Sequence, residues 1–513
     1  MAGALLLVVI ASARITSTYT VFNHTIDEPD HLAAGMEWLT IGKYRYEDQH
    51  PPLARIFGAF GPYLLGERWS TRSPSQFEGY RILGRGEHYT RVLAAGRAGI
   101  LPFFWLGAAV VFLWGLRISD GRAGLTGVLI YSTTPAILGH SGLITTDMAA
   151  AALTGAACLA YLFWLDKPTT RRTILLGVAI GLASLAKFST VVFIPISCLM
   201  ITSLGASRAP ISNEKLSKGR LLGIAIGVAM IVVWSGYLFS FGAVDFLHLR
   251  LPAWRFFSGM HTVWLHNRAG HASYLMGRTS PTGFLYYYPV ALAIKTPIGI
   301  LALSLLSLLY VVRRRRLSEP LAFTLGIILV AMVSHINVGI RHVLPVYIGL
   351  SVACGVYVSS VFQSGHVVSK LWVASLVVWG IVAGLLAHPD YFAYTNEFAG
   401  SHPEAFVADS DLDWGQDMRR LSTFLGTIRS PPVSFAPFNR TYGCEGPACA
   451  GDQIVQYSEA NAVKPSAGWN AVSITLWKVH GFPAWPDISE PHMKIGRSIL
   501  LWYFPAPDGG LDR

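Results

Sequence analysis

The sequence predicts a mainly α, polytopic membrane protein with about eleven transmembrane helices, a large first outward loop and a small outward α/β domain at its end. Three observations carry that reading. Of 513 residues, 52% are hydrophobic and only 13% charged, with a mean hydropathy of +0.44; soluble domains carry roughly 25% charged residues. The basic excess behind the net charge of +11 gathers in short clusters between long apolar runs. A nucleic-acid partner would need those bases on one soluble face, so none is expected. Finally, three segments between or after the runs are too long to be connectors.

The apolar windows fall at about 4–22, 92–116, 123–140, 147–165, 173–187, 188–206, 220–241, 288–312, 320–336, 342–362 and 370–388. Arg14 lies inside the first, and Ala11-Ser12-Ala13 resembles a signal-peptide cleavage site. No positive stretch precedes it, so it reads as an anchor. Alternate loops hold Arg117 and Arg122; Lys167, Arg171 and Arg172; Arg208, Lys215, Lys218 and Arg220; Arg313 to Arg316; and Lys370. Against these 14 bases stand four acids, Asp120, Asp166, Glu214 and Glu319. The positive-inside rule makes these loops cytoplasmic. Segments 23–91, 242–287 and 389–513 then face outward, which divides the chain into a membrane domain (1–388) and an outward domain (389–513). Strand-like runs around 471–477 and 498–504 give the second its α/β character.

Cys158, Cys198 and Cys354 lie in spans, as small apolar packing residues. Cys444 and Cys449 flank Glu-Gly-Pro-Ala in the outward tail, where a turn would let them form a disulfide. A metal pair is the alternative, but no neighbouring Cys or His pair completes it.

The first outward loop opens with Asp27-Glu28-Pro29-Asp30-His31. Pro29 disfavours helix at Glu28 and favours a helix start at its own position, which leaves the acids at a helix entrance near the membrane. Acids complementing the helix dipole would account for them equally. Farther on comes Glu47-Asp48-Gln49-His50-Pro51-Pro52-Leu53, whose paired prolines hold His50 extended before a helix on the membrane. The two motifs, in this place and spacing, resemble the first luminal loop of the protein O-mannosyltransferases. That is glycosyltransferase family 39 of the GT-C group, polytopic enzymes that use polyprenyl-phosphate-linked sugars.

Other segments extend the likeness over most of residues 20–420. Arg97 stands at the outer end of the second span, where the family places an arginine for the lipid phosphate. His140 to Asp147 resembles an outward turn ending in an acid. Lys187, after Gly-Leu-Ala-Ser-Leu-Ala, resembles a turn whose lysine faces phosphate, although snorkelling to the interface explains it too. Tyr286-Tyr287-Tyr288-Pro289 with Lys295-Thr296-Pro297 resembles a signature of bacterial relatives, its tyrosines reading as an interfacial belt. Arg341 and His342 lie in a later outward turn, and a guanidinium can bind phosphate bidentately. Asn396-Glu397 and Asp409 to Asp417 resemble motifs that open the relatives' tail. Asp409, Asp411 and Asp413 are not an EF-hand: Trp414 replaces the glycine at the sixth position and Arg420 the acid at the twelfth. His261, His266 and His271, five apart, would spread around a helix, which disfavours zinc.

The resemblance implies an inverting transfer of mannose or another hexose from a polyprenyl-phosphate donor to an outward acceptor. Asp27 would be the general base and Glu28 would position the acceptor or the base. His50, Arg97, Asp147, Lys187, Arg341 and His342 would contact donor phosphate or substrate. No cofactor is required, though a divalent cation held by Asp27 and His50 is left open. The acceptor is expected to be protein Ser/Thr. The tail lacks the three-fold sugar-binding repeat of eukaryotic relatives, which keeps a lipid or envelope polysaccharide in play. A transporter or flippase is the rival of another class. It is disfavoured because the notable acids and bases lie at span ends and in loops, not at mid-membrane.

Overall fold

A computed structural model describes residues 1–70, 74–204, 215–313, 318–363, 366–429, 431–438, 457–461, 463–482, 485 and 490–505. Every expected span falls on a helix or a broken pair of helices. Among the described residues, five helices are long and apolar enough to cross a membrane: Gly86–Ile118, Asp147–Asp166, Lys218–Gly236, Val346–Gln363 and Val367–Leu386. Shorter apolar helices run over Ala2–Thr16, Thr190–Ser203, Ile298–Arg313 and Glu319–Met332.

Proline sets the breaks. The third expected span divides at Thr134-Pro135 into Gly121–Thr133 and Pro135–His140. The eighth divides before Pro297 into Tyr287–Lys295 and Ile298–Arg313. There Asn396 donates through Nδ2 to the carbonyls of Ala293 (2.6 Å) and Thr296 (2.7 Å), replacing bonds the helix gives up. The first span is shorter than expected: its helix ends at Thr16, and Arg14 reaches the Gly384 carbonyl at 2.6 Å.

Lipid supplies no hydrophobic drive between helices, so close backbone packing through small residues has to. Gly177 and Gly181 of Thr170–Ala186 lie against Lys215–Gly236; a Cβ on Gly177 would stand 2.5 Å from the Ala225 carbonyl oxygen. Gly355 sits in the same way on Gly121–Thr133, with a built Cβ 2.4 Å from the Ala123 carbonyl oxygen. At one end of the bundle Arg117 pairs with both Asp166 and Glu319, joining three helices among the expected cytoplasmic loops.

The long segments meet at the other end. The first carries helices Glu28–Ile41, Leu53–Leu64 and Ser75–Leu83. Leu53–Leu64 exposes Phe57, Phe60 and Leu64 along one face, as a helix resting on lipid would. The second carries hairpin β1–β2 (Phe241–Val244, Leu249–Pro252), helix Trp254–Ala269 and hairpin β3–β4 (Ser273–Leu275, Arg278–Ser280). His271 lies beyond that helix and folds back, so its Nδ1 comes within 3.3 Å of His266 Nε2 instead of pointing away. Tyr286 is exposed, but Tyr287 and Tyr288 are buried, bonded to Asp411 and the Ile336 carbonyl, so the triplet is not a belt.

The tail first packs back on the bundle. Phe392, Ala393 and Trp414 share a core with Leu143. Beyond it, β5 (Val433–Ala436), β6 (Tyr457–Glu459), β7 (Gly468–Ser473), β8 (Met493–Ile495) and β9 (Ile499–Phe504) form a mixed sheet in the order β6-β5-β7-β9-β8. The pairs β5–β6 and β5–β7 are parallel and the others antiparallel. The expected strand 471–477 ends at Ser473, whose Oγ accepts from Leu476 N and starts helix Ile474–His480. Cys444 and Cys449 lie outside the described residues.

Candidate active site

Six of the eight residues expected at the site from sequence gather where the three long segments meet. Asp27 is the residue before helix Glu28–Ile41, and its side chain does not cap that helix. Its Oδ2 instead accepts from Arg341 Nη1 at 2.9 Å, and the carboxylate is 32% exposed, open to an incoming hydroxyl. Arg341 stands on a short 3₁₀ turn, Ile340–Val343, entered through Gly339 at φ 122°. A side chain is strained at that angle, and a Cβ there would come within 2.7 Å of Ser410 Oγ.

A second ion pair lies nearby. Lys187 leaves the end of helix Thr170–Ala186 in extended conformation and places Nζ 2.6 Å from Oδ1 of Asp147, the first residue of its helix. His342 follows Arg341. Its electrostatic neighbours are Lys187, Arg341, Asp147 and His50, while those of His50 are Lys187, Asp27, Asp147 and Arg341. The six side chains therefore form one charge-coupled group.

His50 is held by the network its loop builds. Tyr44 Oη donates to the His50 carbonyl at 2.6 Å, and Arg55 reaches His50 Nδ1 at 3.2 Å and Glu47. His31, edge-on to the His50 ring, accepts from Arg55 Nε at 3.0 Å. Burial, reinforced by the charge of Lys187, pushes the His50 imidazole down to about 4. Burial, with Lys187 and Arg341, holds His342 well below its ordinary value. Both are neutral near pH 7, so the cations of the group are Lys187 and Arg341.

Polar atoms in this region are left open. Among the described residues, Asp147 Oδ2, Arg341 Nε, His342 Nε2, His140 Nδ1 and Thr145 Oγ1 are buried without a hydrogen-bond partner. Orphaned polar atoms are costly, and their concentration around two ion pairs marks a place for a polar occupant. Among the described residues no group of three His, Cys, Asp or Glu stands together to hold a metal ion.

Glu28 and Arg97 stand apart from this group. Both are buried and bonded to each other, Nε to Oε1 at 2.9 Å and Nη2 to Oε2 at 2.8 Å. The remaining guanidinium donors go to the carbonyls of Tyr19, Phe22 and Asn23. All five N–H groups of Arg97 are thus engaged, and it has none for a lipid phosphate, contrary to the sequence expectation. Glu28 also accepts from Thr25 N and Ile144 N, so it cannot touch an acceptor; it fixes the segment that carries Asp27. Burial works to raise the Glu28 carboxyl, but Arg97 and these bonds outweigh it and leave it below the usual range.

Sequence reasoning missed part of the surroundings. Arg55, Glu47 and Tyr44 announce nothing by spacing. Asp409, Asp411 and Trp414 were visible as a motif, but not as neighbours of Arg341. Asp411 accepts from Ile340 N at 3.0 Å and from Tyr287 Oη at 3.1 Å. Burial, resisted by Arg341, pushes the Asp409 carboxyl up to about 7.

Residues 97–255 match the model of a family described as dolichyl-phosphate-mannose-protein mannosyltransferase. No curated protein sequence matches the chain. The fold resembles ArnT from Cupriavidus metallidurans bound to undecaprenyl phosphate, at 12% identity and a TM-score of 0.54, over 97% of each chain. The apo form of that protein gives 0.53 at the same identity and coverage. The archaeal oligosaccharyltransferase AglB from Archaeoglobus fulgidus, in complex with an inhibitory peptide and a dolichol-phosphate, gives 0.45 at 14% identity. That match covers 76% of this chain and 55% of AglB. The matched family stretch contains Asp147 and Lys187, and the likeness of fold to the ArnT structures runs through 97% of the chain.

Proposed function

We propose that the protein transfers mannose or another hexose from a polyprenyl-phosphate donor to Ser or Thr of a protein on the outward side of a membrane. The membrane is the bacterial inner membrane. The observation that carries this reading is the open Asp27–Arg341 pair beside Lys187–Asp147, surrounded by unpartnered buried polar atoms. The matched family's description favours mannose and a protein acceptor, and the undecaprenyl phosphate of the ArnT structure favours a polyprenyl carrier.

The two cations are each neutralised by a carboxylate. An arriving donor phosphate replaces Asp27 on Arg341 and draws on Lys187, since charge-assisted bonds to phosphate can be bidentate. Donor binding thereby frees Asp27. The acceptor hydroxyl attacks the anomeric carbon, its proton passes to Asp27, and the C–O bond to phosphate breaks with inversion. The polyprenyl phosphate leaves with one more negative charge, stabilised by Arg341 and Lys187. Asp147 Oδ2, His50 and His342 Nε2 offer hydrogen bonds to sugar or phosphate oxygens. No cofactor enters this scheme.

Purified protein in nanodiscs, given labelled polyprenyl-phosphate mannose and acceptor peptides, should yield labelled peptide. Label recovered only in lipid or envelope glycan would move the acceptor to those classes, and no transfer to any acceptor would overturn the reading. Persistence of transfer in EDTA is expected; loss restored by a divalent salt would establish the Asp27–His50 cation alternative.

A further inference from the structure

Two arginines at this end of the molecule, Arg97 buried and Arg341 partly so, are held in opposite ways. Arg97 is held by oxygen atoms that use every donor it has. Arg341 is held by a ring: its Cζ lies 4.2 Å from the centroid of Trp414, whose indole is 1% exposed. A π face attracts a guanidinium without consuming its N–H groups, which point outward in the plane. Arg341 Nε is accordingly unpartnered, and Nη1 bonds to Asp27.

Trp414 reaches the other half of that pair through its backbone. Its carbonyl oxygen accepts from Ile26 N at 3.1 Å, one residue before Asp27. The tryptophan is itself fixed. Its ring packs edge-on to His140 at 6.3 Å, and its N donates to Gln416 Oε1 at 2.8 Å. The preceding Asp413 accepts from Ser473 Oγ and from Thr475 N, which ties the loop to the tail sheet.

We propose that Trp414 is a positioning residue of the transfer site: its indole face holds the Arg341 guanidinium with donors left for the donor phosphate, and its carbonyl holds the turn that carries Asp27. The tail is therefore a working part of the active site. This inference rests on the proposed reading of Arg341 as a phosphate ligand.

The test uses the full-length protein in nanodiscs, with undecaprenyl phosphate as the binding probe and labelled polyprenyl-phosphate mannose for turnover. Trp414→Leu keeps the carbonyl and the apolar bulk but removes the π face. It should weaken undecaprenyl phosphate binding and raise the donor KM by about 3- to 30-fold, the range of a partly desolvated cation–π contact. kcat should change less, and Trp414→Phe should recover most of the affinity. Should the leucine variant fail to fold, fluorinated tryptophans placed at 414 by suppression keep shape and weaken the π face stepwise. Donor KM should then rise with each fluorine. A KM indifferent to fluorination, or equal kcat losses in Leu and Phe variants with donor binding unchanged, would overturn the proposal. Failure of the unmodified protein to bind undecaprenyl phosphate would instead overturn the reading of Arg341 and the proposed function with it.

Discussion

At the residue scale, the distinction that matters is between charges that are closed and charges that are open. Glu28 and Arg97 satisfy each other and their surroundings; Asp27, Asp147, Lys187 and Arg341 do not. Breaking a buried pair by removing one partner costs about 3–5 kcal/mol. Glu28→Gln and Arg97→Met should therefore lower the thermal midpoint strongly, and activity should fall with the folded fraction. Asp27→Asn should behave differently, losing roughly 100-fold or more in transfer with a smaller fall in the midpoint, because its side chain makes no helix cap and its pair with Arg341 is partly exposed. The sequence distinguished these neighbours poorly. Asp27 and Glu28 are adjacent, and nothing in their order says that one turns into the bundle toward Arg97 and the other toward Arg341, 314 residues away.

At the scale of elements, the site depends on helices packed too closely for side chains. A Cβ on Gly35 would stand 2.0 Å from the Arg55 carbonyl oxygen, and one on Gly79 2.1 Å from that of Pro29. These contacts press Glu28–Ile41 against Leu53–Leu64 and Ser75–Leu83, and so place Asp27 and His50 together. Gly35→Ala should cost about 1–3 kcal/mol through overpacking, seen as a lower midpoint. It should also raise the donor KM, since it pushes the His50 loop away from Asp27. Apolar runs made the spans legible, and prolines marked their breaks. The turn from β7 into Ile474–His480 was illegible because its capping serine lies inside an apolar stretch that reads as one strand. The pairing of Asp411 and Trp414 with the Arg341 turn was hidden for a related reason: motifs report local chemistry, whereas tertiary contacts decide what faces it.

At the scale of the whole molecule, bundle, first loop and tail all contribute to one charged cluster, and the acid–base balance of the fold should be visible in stability. Burial pushes His24 and His50 down to about 4. The unfolded chain then binds more protons than the fold between about pH 6.5 and 4, so this stabilisation is complete above 6.5 and drains away as pH falls. Asp409 and Asp417, pushed up by burial to about 7 and 6, act with the opposite sign. The informative quantity is thus a difference: between pH 6.5 and 5 the midpoint should fall less in His24→Gln than in the unmodified protein. The central claim, that Asp27 takes the acceptor proton once the donor phosphate has drawn Arg341 away, is tested most directly by comparing Asp27→Asn with the unmodified protein in nanodiscs. Undecaprenyl phosphate binding and single-turnover transfer would be read on the same samples. The account predicts donor binding equal to or tighter than the unmodified protein, because the competing carboxylate is gone, with transfer reduced at least 100-fold. Full single-turnover transfer by Asp27→Asn would contradict it.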